Sequence, residues 1–245
     1  LAMTSSNRMR GSAKKVRRNR NGLSAQYSTR INLGDALFMT NRTELGREDL
    51  KAWQNSQPRN FYTSNSHLQR ILRSHTTASE GKRYQRKLES FGAVAAQQLD
   101  RAAEINNRVG NLPRLERWSP VGARIESVDH HPSYHDCGQA IYGQGELISV
   151  YAEPGSNLLA QSLFYLSSHS GEAGHNCPVA CTAGLVKALQ AAGNQELKDR
   201  WLPKLLTNDY GSRLDGAQFL TEVQGGSDVG ANCVIARKIE DGNSP

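Results

Sequence analysis

No stretch of this 245-residue sequence approaches the roughly 18 consecutive apolar residues that a membrane-crossing helix needs, so a membrane span is not expected. Cysteine is scarce. Cys137, Cys177, Cys181 and Cys233 lack the density of a secreted disulfide scaffold, and no apolar signal segment precedes them. A reducing compartment follows. Acidic residues are missing from the first 34 positions, which carry eight basic side chains: Arg8, Arg10, Lys14, Lys15, Arg17, Arg18, Arg20 and Arg30. The formal net charge of +7 sits there, because the rest of the chain holds 22 basic against 23 acidic residues. A nearly neutral body is a poor phosphate-binding surface, so any nucleic-acid contact would have to come from the leader.

The leader is also short of large apolar residues and cannot bury enough surface to offset the entropy of ordering. Residues 1–45 are therefore expected to be a disordered tail. An acid-free, Arg- and Ser-rich start also suits a mitochondrial transit peptide, and Lys14-Lys15-Val16-Arg17-Arg18 suits a nuclear address or a nucleic-acid contact. The cytoplasm is the expected location, with the mitochondrial matrix as the alternative.

Hydrophobic residues at 37% and charged residues at 22% fit a globular protein, and no internal repeat is visible. From about residue 66 the pattern is helical. Leu68, Ile71, Leu72 and His75 recur at three- and four-residue steps, and Leu88, Phe91, Ala95, Leu99, Ala102 and Ile105 form a longer stripe ended by Gly110 and Pro113. Residues 111–131 read as a loop or extended link. A helical stretch is expected from Pro132 to about Ala152, then one from Ser156 as N-cap through Leu159, Leu163 and Leu166. Another starts near Pro178, with Val179, Thr182, Leu185, Val186 and Leu189 on one face. A short helix with Leu197, Trp201 and Leu205 follows.

Near residue 215 the texture changes. Gly216–Thr221 and Val234–Ala236 read as strands around a loop. The expected organisation is a mainly α chain: a helical domain over 46–215, followed at 216–245 by the start of a β-barrel-like domain.

The loop carries the chemistry. In Phe219-Leu220-Thr221-Glu222-Val223-Gln224-Gly225-Gly226-Ser227-Asp228, two glycines let the backbone approach a ligand closely and turn N–H groups toward an anion. Thr221 and Ser227 add hydroxyls. Such a corner can hold a flat heteroaromatic ring at one end and a pyrophosphate at the other. It can equally be a Gly-Gly turn with polar neighbours.

This segment resembles the flavin-binding signature of the acyl-CoA dehydrogenase family, Thr-Glu followed by Gly-Ser-Asp, and Gln224–Val229 is most similar to the AidB-like, adaptive-response branch. Gly193–Leu206, His131-Pro132-Ser133-Tyr134-His135, and Glu172-Ala173-Gly174 leading to Cys177-Pro178 and Thr182 resemble the same branch in the same order. The family's usual Pro after Thr-Glu is Val223 here. The resemblance implies FAD as cofactor, an acyl-CoA-like substrate, α,β-dehydrogenation of an acyl thioester, and a homo-oligomer, a tetramer as in the family. It implies cofactor contacts from Phe219, Leu220, Thr221, Gln224, Gly225, Gly226 and Ser227, with Leu220 and Thr221 toward the ring and Gly226 and Ser227 toward the pyrophosphate. The family's catalytic base is a glutamate in a C-terminal helical domain that no residue here matches. A fragment without turnover of its own is the expectation. The rival readings are a flavoprotein of this branch whose main role is nucleic-acid binding or protection, and a non-enzymatic helical interaction module.

Two other groups mix reactive residue types. His130-His131-Pro132-Ser133-Tyr134-His135-Asp136-Cys137 could supply metal ligands, but Pro132 separates His131 from His135 and no second ligand pair stands at a recognisable spacing. His175-Asn176-Cys177 with Cys181 superficially suggests a Cys-His nucleophile, without a third orienting group. Polar packing and buried structural cysteine are the expected roles.

Overall fold

The computed structural model describes residues 33–235 and 237, with side chains described from Glu44 onward. The expected disordered tail lies outside the described residues up to position 32. From there helix α1, Leu33–Ser56, runs through the expected boundary at 45. Contacts separate this segment from a second unit over residues 58–245. Within α1, Glu44 pairs with Arg47 at 2.6 Å, and Leu50 and Trp53 are exposed.

The second unit is built from helices. Helix α2, Ser66–His75, begins at Asn65, whose side chain accepts from the Leu68 N–H, and buries Leu68 and Leu72. Helix α3, Ala78–Val94, starts with a capping box between Thr77 and Glu80, which satisfies donors at both ends of the first turn. Its stripe continues through a wider π turn at Ala95–Leu99 into α4, Asp100–Asn106, so Leu88, Phe91, Ala95 and Leu99 are almost wholly buried.

The stretch read as a loop or extended link is extended chain paired with itself in a hairpin. Strands β1, Arg114–Trp118, and β2, Arg124–Asp129, pair antiparallel with Leu115 opposite Val128, around a turn with Gly122 at φ 78°. An irregularity in register falls between Glu116 and Trp118, beside Glu126 at φ 47°. Every strand residue is exposed, so there was no alternation of apolar and polar positions to read.

Past the hairpin, helix α5, Pro132–Gly138, is capped by His131, whose Nδ1 accepts from the Ser133 N–H at 3.2 Å. The helical stretch expected from Pro132 to about Ala152 is three pieces: α5, a π turn at Gln139–Gln144, and a 3₁₀ turn at Ser149–Ala152. Glu146 at φ 53° makes the break. Helix α6, Asn157–Ser168, follows Ser156, but the Ser156 hydroxyl does not cap it; that oxygen is buried without a partner among the described residues. Helix α7, Asn176–Ala192, buries Val179, Thr182 and Val186, and α8, Gln195–Leu205, is capped by Asn194 and buries Leu205.

One core joins these helices. Phe91, Leu88, Leu99, Ile141, Leu147, Ile148, Leu163, Leu166 and Val186 are its largest fully buried apolar side chains. At the rim, Arg83 pairs with Glu153 and Lys87 with Glu146, tying α3 to the segment after the second π turn. No described helix is long and apolar enough to cross a membrane. The strands expected at Gly216–Thr221 and Val234–Ala236 do not form among the described residues; only a 3₁₀ turn at Val229–Ala231 interrupts irregular chain there. Ala236 itself lies outside the described residues.

Candidate functional site

Residues 219–235 form an arm, and the helical body fixes where the arm begins. After α8, Asp209 closes a tight turn by accepting from the Gly211 N–H at 3.0 Å and the Ser212 hydroxyl at 2.6 Å. That turn aims Tyr210 back at α5. Its ring lies against Gly138, where any Cβ would overlap it, so glycine at this helix position admits the aromatic. The Tyr210 hydroxyl meets His135 Nδ1 at 3.1 Å.

Arg213 then lays its guanidinium over two neighbouring rings, 4.1 Å from the centroid of Tyr142 and 4.5 Å from that of Tyr210. Its Nη1 donates to the Tyr210 carbonyl and its Nη2 to Asp215, each at 3.0 Å. The Tyr142 hydroxyl donates to the other Asp215 oxygen at 3.2 Å. Burial raises the pKa of the Tyr142 phenol, so it stays a neutral donor. Directly after Asp215, the Gly216 N–H donates to the buried Thr182 hydroxyl at 2.9 Å, and Gln218 Nε2 donates to the Cys181 carbonyl at 2.6 Å.

From Phe219 the chain leaves the helices. Phe219, Leu220 and Val223 are exposed, Phe219 almost completely. The Glu222 carboxylate organises the arm, accepting from the N–H groups of Cys233 at 2.8 Å and Val234 at 3.2 Å and from the Gln224 amide. Asn232 Nδ2 donates to the Leu220 carbonyl at 2.6 Å. The Glu222 N–H donates to the Gly225 carbonyl at 2.8 Å, and Gly225 is buried against Asn232. Glu222 is thus a scaffold for the loop.

The residues expected to meet a cofactor are left presented. The hydroxyls of Thr221 and Ser227 and the peptide N–H groups of Gly226 and Ser227 have no protein acceptor among the described residues. A Cβ built on Gly226 meets nothing within 4 Å, so this backbone is open to approach. Exposed donors at one short turn fit a phosphate-bearing cofactor. Gln224 differs: its amide is spent on Glu222.

The two other candidate groups do not converge. His131 caps α5, His135 binds Tyr210, His130 stacks on Tyr134 at 4.0 Å, and Cys137 is buried. Burial pushes the Cys137 thiol up to about 12, helped by nearby Glu172 and Asp136. Among the described residues no group of three or more His, Cys, Asp or Glu side chains is placed to hold a metal. Glu172 is a helix cap: its carboxylate accepts from the N–H groups of His175 at 3.0 Å and Asn176 at 3.1 Å. His175, fully buried, donates Nε2–H to the Tyr134 carbonyl at 2.8 Å, while Nδ1 has no partner among the described residues. Burial lowers its pKa, partly opposed by that hydrogen bond and by Glu172. Sequence reasoning missed Tyr142, Tyr210 and Arg213. Of these only Tyr210 had a local cue, the glycine at Gly138 on which its ring lies.

Comparison with known proteins decides the family. The adaptive response protein AidB N-terminal domain matches residues 53–212. The chain belongs to that family. It is 28% identical over 166 residues to the "Putative acyl-CoA dehydrogenase AidB" of Escherichia coli (strain K12), covering 63% of this chain and 30% of that protein. It is 29% identical over 185 residues to acyl-CoA dehydrogenase family member 11 of Caenorhabditis elegans, covering 71% of this chain and 29% of the relative. The chain therefore spans about 30% of the length of these relatives. Among solved structures, the Bd2924 apo-form superposes with a TM-score of 0.61 at 28% identity, over 72% of this chain and 35% of that one. Caenorhabditis elegans ACDH-11, crystallised in complex with C11-CoA, gives 0.59 at 27% identity, over 73% and 31%. The AidB-type helical domain thus ends, by the family match, at Ser212, beside the Arg213 clamp, and the arm with Thr221 and Ser227 lies beyond it.

Proposed function

We propose that this AidB-type domain and its arm are the N-terminal part of an FAD-dependent flavoprotein that oxidises an acyl-CoA-like thioester. The observation that carries the reading is the arm, where a turn held together by Glu222 presents two hydroxyls and two peptide N–H groups with no described protein acceptor. Family membership, and the acyl-CoA ligand in the ACDH-11 complex, support the substrate class.

Thr221 would hold the ring end of the cofactor through its hydroxyl, with Phe219 and Leu220 beside it. Gly226 would give its backbone to the pyrophosphate, and Ser227 its hydroxyl, at the end where negative charge makes a hydrogen bond strongest. Gly225 and Gln224 keep the turn in shape. When bound, the flavin supplies the hydride acceptor for carbon–carbon bond oxidation. None of the described carboxylates is assigned as the base that takes the α-proton; Glu222 is committed to the loop and Glu172 to a helix cap. Assembly as a homo-oligomer, a tetramer in this reading, is checked by light scattering.

The test is FAD titration of the protein as expressed from its gene, by quenching of flavin fluorescence. Ser227→Ala should weaken binding by about 1.5–3 kcal/mol, the range for a hydrogen bond to a charged group. Gly226→Val should weaken it further, because a branched side chain would fill the open approach. Wild-type affinity in both variants would reduce the arm to a turn. The second reading, a flavoprotein with a nucleic-acid role, draws on the basic leader. It requires DNA affinity that falls steeply with salt and is lost on deleting residues 1–34.

A further inference from the structure

The arm has almost no apolar anchorage of its own, yet the residues that lead into it, 210–218, are held to the body by polar, stacking and packing contacts from three separate elements. Tyr210 rests on α5 at Gly138 and bonds to His135. Arg213 is gripped by Tyr142 from the second π turn and by Tyr210, with its side chain only 14% exposed. Thr182 on α7 accepts the Gly216 N–H, and the Cys181 carbonyl accepts from Gln218. Gly216 packs so closely on Leu185 that a Cβ would lie 2.7 Å from Cδ2, which fixes the chain's height above α7.

These contacts are directional. A guanidinium that packs on two neighbouring rings and bonds to a carbonyl and a carboxylate has one orientation. A peptide N–H bonded to a buried hydroxyl has one register. Together they define both the direction and the register with which residues 217 and 218 depart, and Thr221 stands three residues later.

We propose that Arg213 and Thr182 are positioning residues for the cofactor-facing turn, a pin through which the helical body sets where Thr221 and Ser227 stand. This rests on the flavin reading of the arm, which neither residue touches. Without the pin the turn, closed on itself by Glu222 and Asn232, keeps its local shape and loses its placement.

The test has two arms. In the flavin-free protein, hydrogen exchange at the Gly216 amide should be slow. It should rise by about 2- to 13-fold in Thr182→Val, which keeps the shape of the side chain and removes the acceptor, the fold-change that corresponds to losing one net neutral hydrogen bond. Thr182→Ser should restore protection. In the second arm, FAD titration well below the unfolding temperature should show weaker binding and an altered flavin absorbance band in Thr182→Val and Arg213→Met. Thr182→Ser should stay close to wild type, and Arg213→Lys, which keeps the charge without the planar fork, should fall between. Circular dichroism reports whether each variant remains helical, and Arg213→Met carries the test where Thr182→Val does not fold.

Unchanged Gly216 exchange in folded Thr182→Val would overturn the pin itself. Faster exchange with unchanged FAD affinity and spectrum would overturn its action on the cofactor turn. A wild-type protein that takes up no FAD would instead bring down the flavin reading, and with it the positioning claim, while the exchange arm still reports on the pin.

Discussion

The helical body and the arm are held together by opposite means. In the body, side chains such as Leu88, Phe91, Leu99 and Leu163 are at most 1% exposed, and polar groups serve mainly as caps and rim pairs. In the arm, Phe219, Leu220, Val223, Val234 and Ile235 are exposed, and polar groups do the holding: Glu222 and Asn232. Apolar burial is non-directional and cooperative, so the body resists most changes that leave its volume filled. The arm depends on a few hydrogen bonds, each worth about 0.5–1.5 kcal/mol net, so its conformation can be altered one group at a time. A cofactor site benefits from the second arrangement, since donors not used in folding are free to meet a ligand.

The sharpest way to break this comparison is a matched pair of truncations. Phe91→Ala removes a ring that is 1% exposed and should cost about 3–5 kcal/mol in urea unfolding. Phe219→Ala removes a ring that is 99% exposed and should stay within about 0.5 kcal/mol of wild type. A comparable loss at both positions would mean that Phe219 packs in solution, and the arm would then be part of the core.

A smaller effect probes the seam between the two regions. Gly138→Ala places a methyl group where the Tyr210 ring lies, so the ring must leave α5 or the helix must shift. A loss of about 1–3 kcal/mol is expected, the usual range for overpacking. Combining it with Tyr210→Ala should recover part of that loss, because the second change removes the clash. Strict additivity of the two losses would show that Tyr210 does not rest on Gly138.

Legibility divides along the same line. The stripe from Leu88 to Ala102 could be read because burial on one side imposes a period, and that period survives the π turn at Ala95–Leu99 almost unchanged. For the same reason the turn itself could not be read. The hairpin from Arg114 to Asp129 escaped because both of its faces are exposed, leaving only the Pro120-Val121-Gly122 turn as a cue. Ser156 looked like a cap from its residue type, but its hydroxyl faces the interior. In the arm, Thr221, Gly226 and Ser227 were legible as chemistry, two hydroxyls around a glycine pair. The clamp was not, because Tyr142 and Arg213 meet across some 70 positions of sequence and no local pattern announces a long-range stack.

Acid should sharpen the comparison from the body's side. His175 is buried and neutral in the fold, with its pKa lowered by burial. Both states are neutral well above the unfolded value of about 6.5, so the group contributes no pH dependence there. As pH falls through that value the unfolded chain takes up a proton that the folded one resists, and stability declines until the lower folded pKa is passed. The melting temperature should therefore drop between pH 7 and pH 5 more steeply in wild type than in His175→Gln. Parallel curves would show that His175 keeps its ordinary affinity for protons.

The smallest expected change in global stability belongs to Glu222→Gln, and it isolates the arm. The carboxylate accepts from two peptide N–H groups, Cys233 and Val234, and from the Gln224 amide, and a neutral amide can keep one acceptor oxygen but not both. No buried apolar contact depends on it, so urea unfolding of the body should move by less than about 0.5 kcal/mol. Locally the effect should be larger. Hydrogen bonds to a charged acceptor contribute about 1.5–3 kcal/mol, so exchange at Cys233 and Val234 should quicken by about tenfold or more while amides of α3 and α7 keep their protection. If exchange rose across those helices as well, arm and body would open as one cooperative unit. The separation between a packed body and a hydrogen-bonded arm would then have to be abandoned.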